Sequence, residues 1–354
     1  MTMGSSVRER NGRAETTAGR VPVIAVTGYL GAGKTSLLNH LLRRPGARLG
    51  VVVNDFGEIN VDAALVTGQV DEAAAISGGC LCCLPDTGGL DDALERLSHP
   101  RLRLDAIIVE ASGAADPLAV ARLMRFSGAE NVRPGGVVDV IDAVEHFRTV
   151  DVRPDPPARY AAASLVVVNK SDLLPVDDRD EVLARIEKRV RIRNSHAPVI
   201  VARRGLVDPA LVFDVASDED PQDELPFAEF LREQEEELPH EHASAVSVPL
   251  AGSISPTALI DLLETPPLDA YRIKGRVRVR GPRRDRGYLV NLVGRSIHIA
   301  SLPKPPAVGE LVAIGMHLDA RNAEARLAAV TQASADHVDA AGMRRLWRYR
   351  RLSQ

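Results

Sequence analysis

The sequence predicts a wound α/β sheet followed by a smaller α+β domain. Three observations carry this. Short apolar runs rich in β-branched residues alternate with helix-length segments through residue 202. A glycine-rich turn joins the first of these runs to the first helix. After about residue 215 the chain becomes densely acidic, and closely spaced strand-like runs then resume near residue 244.

The elements follow in order. Residues 1–20 are polar, lack the apolar core of a signal peptide and read as a flexible tail. Buried parallel strands are expected at 21–27, 49–53, 104–109, 137–141, 165–168 and 198–202, each a compact apolar run. Helices are expected at 35–42, 89–97, 118–126 and 177–190. Together these make a domain over 21–215. An acidic linker over 216–243 carries Glu233, Glu235, Glu236 and Glu237, with a helix at 227–237. The second domain, 244–335, has strands at 245–250, 273–279, 288–293 and 297–300 and a helix at 256–263. A basic tail over 336–354 holds the single tryptophan, Trp347.

Composition narrows the function classes. The 354 residues are 45% hydrophobic and 26% charged, enough for two domains with real cores. Net charge is −4, so nothing global draws the chain to nucleic acid. At 3% aromatic content the core is aliphatic, and the composition argues against a base-stacking platform. No apolar run reaches the roughly 18 residues of a membrane span. All three cysteines fall within four positions, which points to a thiolate site in a reducing, cytoplasmic setting.

Gly28-Tyr-Leu-Gly31-Ala32-Gly33-Lys34-Thr35 matches the P-loop pattern, between a strand and a helix. Its glycines let backbone N–H groups turn toward phosphate oxygens, and the helix N-terminus adds favourable dipole charge. Lys34 is expected to neutralise β/γ-phosphate charge and the Thr35 hydroxyl to bind Mg²⁺. The run 104–109 ends in Glu110, where a Walker-B acid sits, and Gly113 leaves room for backbone beside a γ-phosphate. Asn169-Lys170-Ser171-Asp172 follows the fifth strand. An aspartate accepts both N1–H and the exocyclic amine of guanine, and an asparagine amide can meet the ring's other polar edge. The motif therefore argues for GTP over ATP and against a small-molecule kinase.

Gly78-Gly79-Cys80-Leu81-Cys82-Cys83 carries every thiol in the chain. Thiolates favour Zn²⁺ or Cu(I), and Co²⁺ fits the same ligands less tightly than Zn²⁺. In an extended segment Cys80 and Cys82 point one way and Cys83 the other, so a carboxylate ligand eases the geometry. Glu58 is the better candidate and Asp62 the weaker. The alternatives are three structural cysteines or a redox switch, although adjacent cysteines bridge only with strain. His240 and His242 are a second, weaker candidate pair, and His40 reads as a surface or core residue.

These motifs, in this order, resemble the CobW-like P-loop GTPases. The resemblance rests on residues 28–42, 53–62 (VNDFGEINVD), 78–83, 110–117 (EASGAADP) and 169–174 (NKSDLL), with Tyr271-Arg-Ile-Lys274-Gly275 like the family's C-terminal RxKG signature. It implies nucleotide contacts at Gly31, Gly33, Lys34, Thr35 and Ser36, and guanine contacts at Asn169, Lys170 and Asp172. It implies a transition metal on Glu58, Cys80, Cys82 and Cys83, handed to a client metalloprotein under GTP control. Docking of that client on the C-terminal domain and a homodimer are the implied partners. Two departures stand out: Asp55 replaces the usual glutamate, and only His240 and His242 stand where many members carry a His-rich loop.

In this reading GTP orders the 54–62 segment and draws Glu58 toward the cysteines, and hydrolysis loosens the metal. No glutamine is placed to orient water, so intrinsic hydrolysis is expected to be slow. The rival reading is a GTPase with a structural metal that binds RNA or a ribosomal partner. Its surface would be the basic alternation Arg272, Lys274, Arg276, Arg278, Arg280. The scarcity of aromatics argues against it.

Overall fold

The computed structural model describes residues 20–43, 47–54, 73–76, 88–111, 117–125, 127–213, 243–282, 284–331 and 339–352. The first domain is built on β1 (Val21–Gly28), β2 (Leu49–Asn54), β3 (Ala73–Ile76), β4 (Ala106–Glu110), β5 (Val132–Asp142), β6 (Leu165–Asn169) and β7 (Val199–Val201). They form one parallel sheet in the order β3-β2-β4-β1-β5-β6-β7. The chain adds strands on one side of β1, then crosses to the other with β5. That reversal opens a crevice at the carboxyl ends of the central strands.

The helices are α1 (Lys34–Leu42), α2 (Gly88–Leu97), α3 (Pro117–Arg125), the single turn α4 (His146–Thr149) and α5 (Arg179–Arg193). Strand β1 is apolar on both faces because both are covered. Ile24 and Val26 pack with Leu37, Leu38 and Leu41 of α1. Val23 and Ala25 pack with Leu90 and Leu94 of α2 and Val120 of α3. Each such side chain, fully buried, stabilises the fold by roughly 1.5–3 kcal/mol before entropy is counted. Aliphatic packing suffices without aromatics.

The larger differences from expectation lie where glycine, proline or alanine hid a strand. β3 is Ala-Ala-Ala-Ile, with no β-branched run to announce it. β5 starts at Val132, five residues before the expected 137, and runs through Pro134, Gly135 and Gly136. A register irregularity between Val23 and Ile24 of β1 accommodates that stretch.

The second domain has β8 (Ser244–Ala251), β9 (Arg272–Val279), β10 (Arg286–Val293), β11 (Ser296–Leu302) and β12 (Val308–Gly315). They pair antiparallel in the order β11-β10-β9-β12-β8. One face is covered by α6 (Pro256–Glu264), α7 (Ala320–Ala328) and α8 (Ala340–Leu352). β12 and α7 were not expected from the sequence. Part of the expected basic tail is α8. Met343 and Leu346 are buried in this core, and Arg345 pairs with Asp261 and Glu264 of α6, both at 2.7 Å.

The lower end of this sheet closes on the first domain. Tyr271, Val293 and Ile314 join the first domain's core. Tyr271 Oη lies 3.2 Å from Ser164 Oγ, and Arg272 Nη1 donates to the Ala210 carbonyl at 3.1 Å. Asp208 accepts from Ala243 N at 2.7 Å where the chain re-enters. The basic alternation on β9 is therefore largely absorbed. Arg272 is buried, Lys274 is half-buried, and Arg278 donates to the Pro306 carbonyl, leaving Arg276 as the exposed cation of the strand. Tyr271→Ala is expected to lower unfolding free energy by about 3–5 kcal/mol, and Tyr271→Phe by about 1 kcal/mol or less, in urea titration.

Candidate functional site

The site gathers at the carboxyl edge of the larger sheet. β1 ends at Gly28 and β4 at Glu110; β5 ends at Asp142 and β6 at Asn169, so all four ends flank one crevice. The glycine-rich loop leaves β1 and opens onto α1, with Gly33 as the left-handed residue before the helix (φ 99°). A Cβ on Gly33 would come within 2.2 Å of Asn169 Nδ2, so both backbone angle and space demand glycine.

Lys34 is buried, and its Nζ donates to the Gly28 carbonyl at 3.2 Å and the Tyr29 carbonyl at 3.4 Å, holding the ammonium across the loop. Thr35 Oγ1 donates to Glu110 Oε1 at 3.0 Å, joining α1 to the end of β4 across 75 residues. A hydroxyl and a carboxylate beside a phosphate loop are hard oxygen donors of the kind Mg²⁺ takes. Ala32 is fully buried, Ser36 is exposed, and Gly28 and Gly31 turn the loop with positive φ.

Asn169, expected at the guanine, is also bound to backbone. Its amide nitrogen donates to the Ala32 carbonyl at 3.0 Å, and its amide oxygen accepts from Gly205 N at 2.9 Å. Both ends of the amide therefore hold protein backbone, and the side chain fixes the loop. Lys170 adopts a left-handed conformation (φ 62°), and its Nζ lies 2.6 Å from Asp142 Oδ2. Asp172 Oδ1 is buried and has no hydrogen-bond partner among the described residues. By the usual accounting a buried acceptor of this kind wants a donor, and N1–H with the exocyclic amine of guanine is such a donor pair.

Sequence reasoning missed the turn after β7. Ser171 Oγ donates to the Ala202 carbonyl at 3.0 Å, and a Cβ on Gly205 (φ 77°) would come within 2.6 Å of Leu37 N at the start of α1. The glycine at 205 was the available signal. It also missed a buried polar system behind the loop. Thr27 donates to Asp139 at 2.9 Å, and Arg159 grips Asp139 with two nitrogens, at 2.8 and 3.3 Å. Beside it His146 Nε2 meets Tyr160 Oη, which donates to Asp151 at 3.1 Å, and Arg189 pairs with Asp151. A cavity of about 240 Å³ lies between this system and the loop, lined by Tyr29, Leu30, Lys170 and His146 among others.

Gly113, Glu58, Asp62, Cys80, Cys82, Cys83, His240 and His242 lie outside the described residues. Among the described residues no group of three or more His, Cys, Asp or Glu could hold a metal ion. Among them, too, no helix is long and apolar enough to cross a membrane. His40 is half-buried, with Nε2 2.9 Å from the Val207 carbonyl.

A parallel sheet wound in this order, with a glycine-rich loop running from its central strand into a helix N-terminus, is the architecture of a P-loop nucleotide-binding protein. The chain belongs to the CobW/HypB/UreG family: that family's nucleotide-binding domain matches residues 22–201. The cobalamin synthesis protein cobW C-terminal domain matches residues 243–331. The chain is 28% identical over 345 residues to the zinc chaperone CobW of Sinorhizobium sp, covering 86% of this chain and 95% of the relative. It is 29% identical over 202 residues to the zinc chaperone YjiA of Escherichia coli, covering 55% and 61%. It is 31% identical over 204 residues to the zinc-regulated GTPase metalloprotein activator 1 of Schizosaccharomyces pombe, covering 55% and 48%. The match thus spans about three-fifths of YjiA and half of the activator.

Burial lowers the His146 pKa to about 4, outweighing the pull of the Asp151 carboxylate. The unfolded chain takes up this proton near pH 6.5, so the neutral buried histidine contributes stability above that pH and loses it as pH falls toward 4. About 3 kcal/mol of wild-type stability is expected to disappear between pH 6.5 and 4 through this group. Denaturant titrations of wild type and His146→Gln at both pH values will differ by that slope.

Proposed function

We propose that the chain is a GTP-hydrolysing zinc chaperone of the cytoplasm, which binds its metal at the cysteine cluster and releases it to a client metalloprotein. The observation that carries the nucleotide half is Asp172: a buried carboxylate oxygen without a partner among the described residues, beside a phosphate loop pinned by Asn169. The curated relatives called zinc chaperones and a zinc-regulated GTPase support the metal half.

The N–H groups of Gly31 to Ser36 cradle the phosphates, and Lys34 places its ammonium against the charge that gathers on the β–γ bridging oxygen. Water attacks the γ-phosphorus, the bond to the bridging oxygen breaks, and GDP and phosphate leave. Thr35 and Glu110 suit Mg²⁺, which neutralises β- and γ-oxygen charge when bound. Asn169 acts through the loop, and Lys170 and Asp172 hold the guanine. Gly113 brings backbone to the γ-phosphate. Among the described residues no glutamine lies at this crevice to orient the water, and slow intrinsic turnover is the expected outcome.

Zinc is the cargo. The thiolates of Cys80, Cys82 and Cys83 with the carboxylate of Glu58 make a donor set whose chemistry suits zinc, and Co²⁺ would take it less tightly. Glu58 follows β2, whose neighbour β4 carries Glu110. A segment ordered by the γ-phosphate can therefore tie metal affinity to the nucleotide, and linkage makes that coupling reciprocal. The client docks on the second domain, and a homodimer is compatible with this scheme. The RNA reading loses ground because Arg272 and Arg278 are tied to backbone carbonyls.

Asp172→Asn replaces one acceptor with a donor. Guanine-nucleotide affinity should fall roughly 10–100-fold, while a xanthine nucleotide, with a carbonyl in place of the amine, should gain; fluorescent-nucleotide titration reads both. The metal half is tested by chelator competition for Zn²⁺ in the presence of Mg·GDP and of a non-hydrolysable GTP analogue. Tighter zinc with the analogue, lost in Cys82→Ser, is the expected outcome. Zinc that binds equally with either nucleotide would reduce the protein to a GTPase with a structural metal and overturn the coupled reading.

A further inference from the structure

The arginines of β9 are mostly spent on carbonyls, but those of the last helix are not. α8 carries five arginines and no acid. It lies beyond residues 243–331, the span matched by the family's C-terminal domain. Met343 and Leu346 bury one side of it, and Arg345 and Tyr349 fix it to Asp261 and Glu264 of α6. The helix is therefore held with a set face outward. Arg344, Trp347, Arg348 and Arg351 are all exposed and fall at i, i+3, i+4 and i+7, one stripe about 10 Å long. Trp347 is 40% exposed and is the chain's single tryptophan. The apolar side of α8 is already buried in the domain, so the helix has no apolar face left to lie in a membrane surface.

The C-terminal half of α8 borders a pair of joined clefts at the seam between the domains. The first, about 830 Å³, is lined by Tyr349 of α8 and by Arg295 in the turn between β10 and β11. The second, about 520 Å³, shares Arg295 and reaches Arg122 of α3. Arg122 and Arg295 are both exposed. Among the described residues neither they nor Arg344, Arg348 and Arg351 make a hydrogen bond or ion pair. Glu130 is the one carboxylate lining either cleft among the described residues. Solvated surfaces mix both signs of charge, and a run of one sign is the footprint of a polyanion site. The first cleft touches Arg133 and Pro134 at the amino end of β5, opposite the carboxyl edge that holds the phosphate loop. The two sites are therefore separate.

We propose that this seam binds single-stranded nucleic acid, with phosphates along the five unpaired arginines and one base stacked on Trp347. A positively charged groove with an aromatic beside it holds a strand without sequence preference. Guanidinium forks match phosphate oxygens bidentately. One indole is a single stacking contact and not a platform, which agrees with the scarcity of aromatics. An acidic polypeptide would meet the same charges, but the indole favours the strand, because every base offers it a π face.

The test uses the full-length protein saturated with Mg·GDP, so that the phosphate loop is already filled. An oligouridylate of about 15 nucleotides is titrated in at several salt concentrations and followed by the fluorescence of Trp347. Binding should quench Trp347, and log K should fall against log salt with a slope of about −3.5, about 0.7 for each of five phosphates. Affinity should thus drop roughly 100-fold between 50 and 200 mM salt. Arg344→Gln with Arg348→Gln should reduce that slope by about 1.4, and Arg122→Gln with Arg295→Gln by about the same. All four side chains are exposed and unpaired, so these variants keep the fold. Trp347→Ala, read by the anisotropy of a labelled strand, should weaken binding about tenfold and leave the slope unchanged. An unquenched Trp347 at the lowest salt, or a slope unmoved in both arginine pairs, would overturn the proposal. So would a polyglutamate of matching length that quenches Trp347 as strongly, since the face would then belong to an acidic protein. Either failure leaves the GTPase reading intact, because none of these residues touches the nucleotide crevice.

Discussion

The whole carboxyl edge of the larger sheet depends on how closely backbone approaches Asn169. One amide, at the end of β6, holds the phosphate loop through Ala32 and the post-β7 turn through Gly205. Neither contact leaves room for a side chain at Gly33, and Gly205 in turn lies against the first turn of α1. Three segments far apart in sequence are thereby held at fixed distance. An asparagine suits the position because it offers one donor and one acceptor in a rigid plane. Aspartate would lack the donor, and leucine would leave two buried backbone groups unmet.

The same economy appears in the core. With so few aromatics, the sheet is filled by Val, Ile, Leu and Ala in dense contact, and the acids behind the phosphate loop are buried with their partners. Asp139 is fully buried but is met by Thr27 and by both arms of Arg159; Asp151 is met by Arg189 and Tyr160. Such systems stabilise little relative to an apolar core, yet breaking one partner exposes a full desolvation penalty. They lie directly behind the phosphate loop, where a fixed loop position matters most. The second domain is joined by a different means: an apolar seam of Tyr271, Val293 and Ile314 makes the two domains share one core at their contact.

The candidate nucleotide residues and the proposed metal residues stood out in the sequence for different reasons. Lys34, Thr35 and Asp172 belong to short motifs whose spacing is set by local backbone geometry, so they could be read without a fold. Glu110 was legible as the acid closing an apolar run. The cysteines stand out by clustering alone, and their reading still rests on chain chemistry. What Asn169 does was not legible, because its partners, Ala32 and Gly205, are distant in sequence and are backbone atoms that carry no residue signature.

By itself the sequence determined the wound α/β class, the order of its motifs and the preference for a phosphate-bearing ligand, because hydrophobic period and glycine spacing are local properties. Tertiary structure decided the rest. β3, β12 and the glycine-rich start of β5 exist because neighbouring strands offer them hydrogen bonds, which their own residues do not advertise. The basic alternation on β9 reads as a charged face in sequence but is mostly spent on carbonyls and on the seam between domains. Arg122, Arg295 and Tyr349 are far apart in the chain. Only the docking of one domain against the other brings them to a common seam.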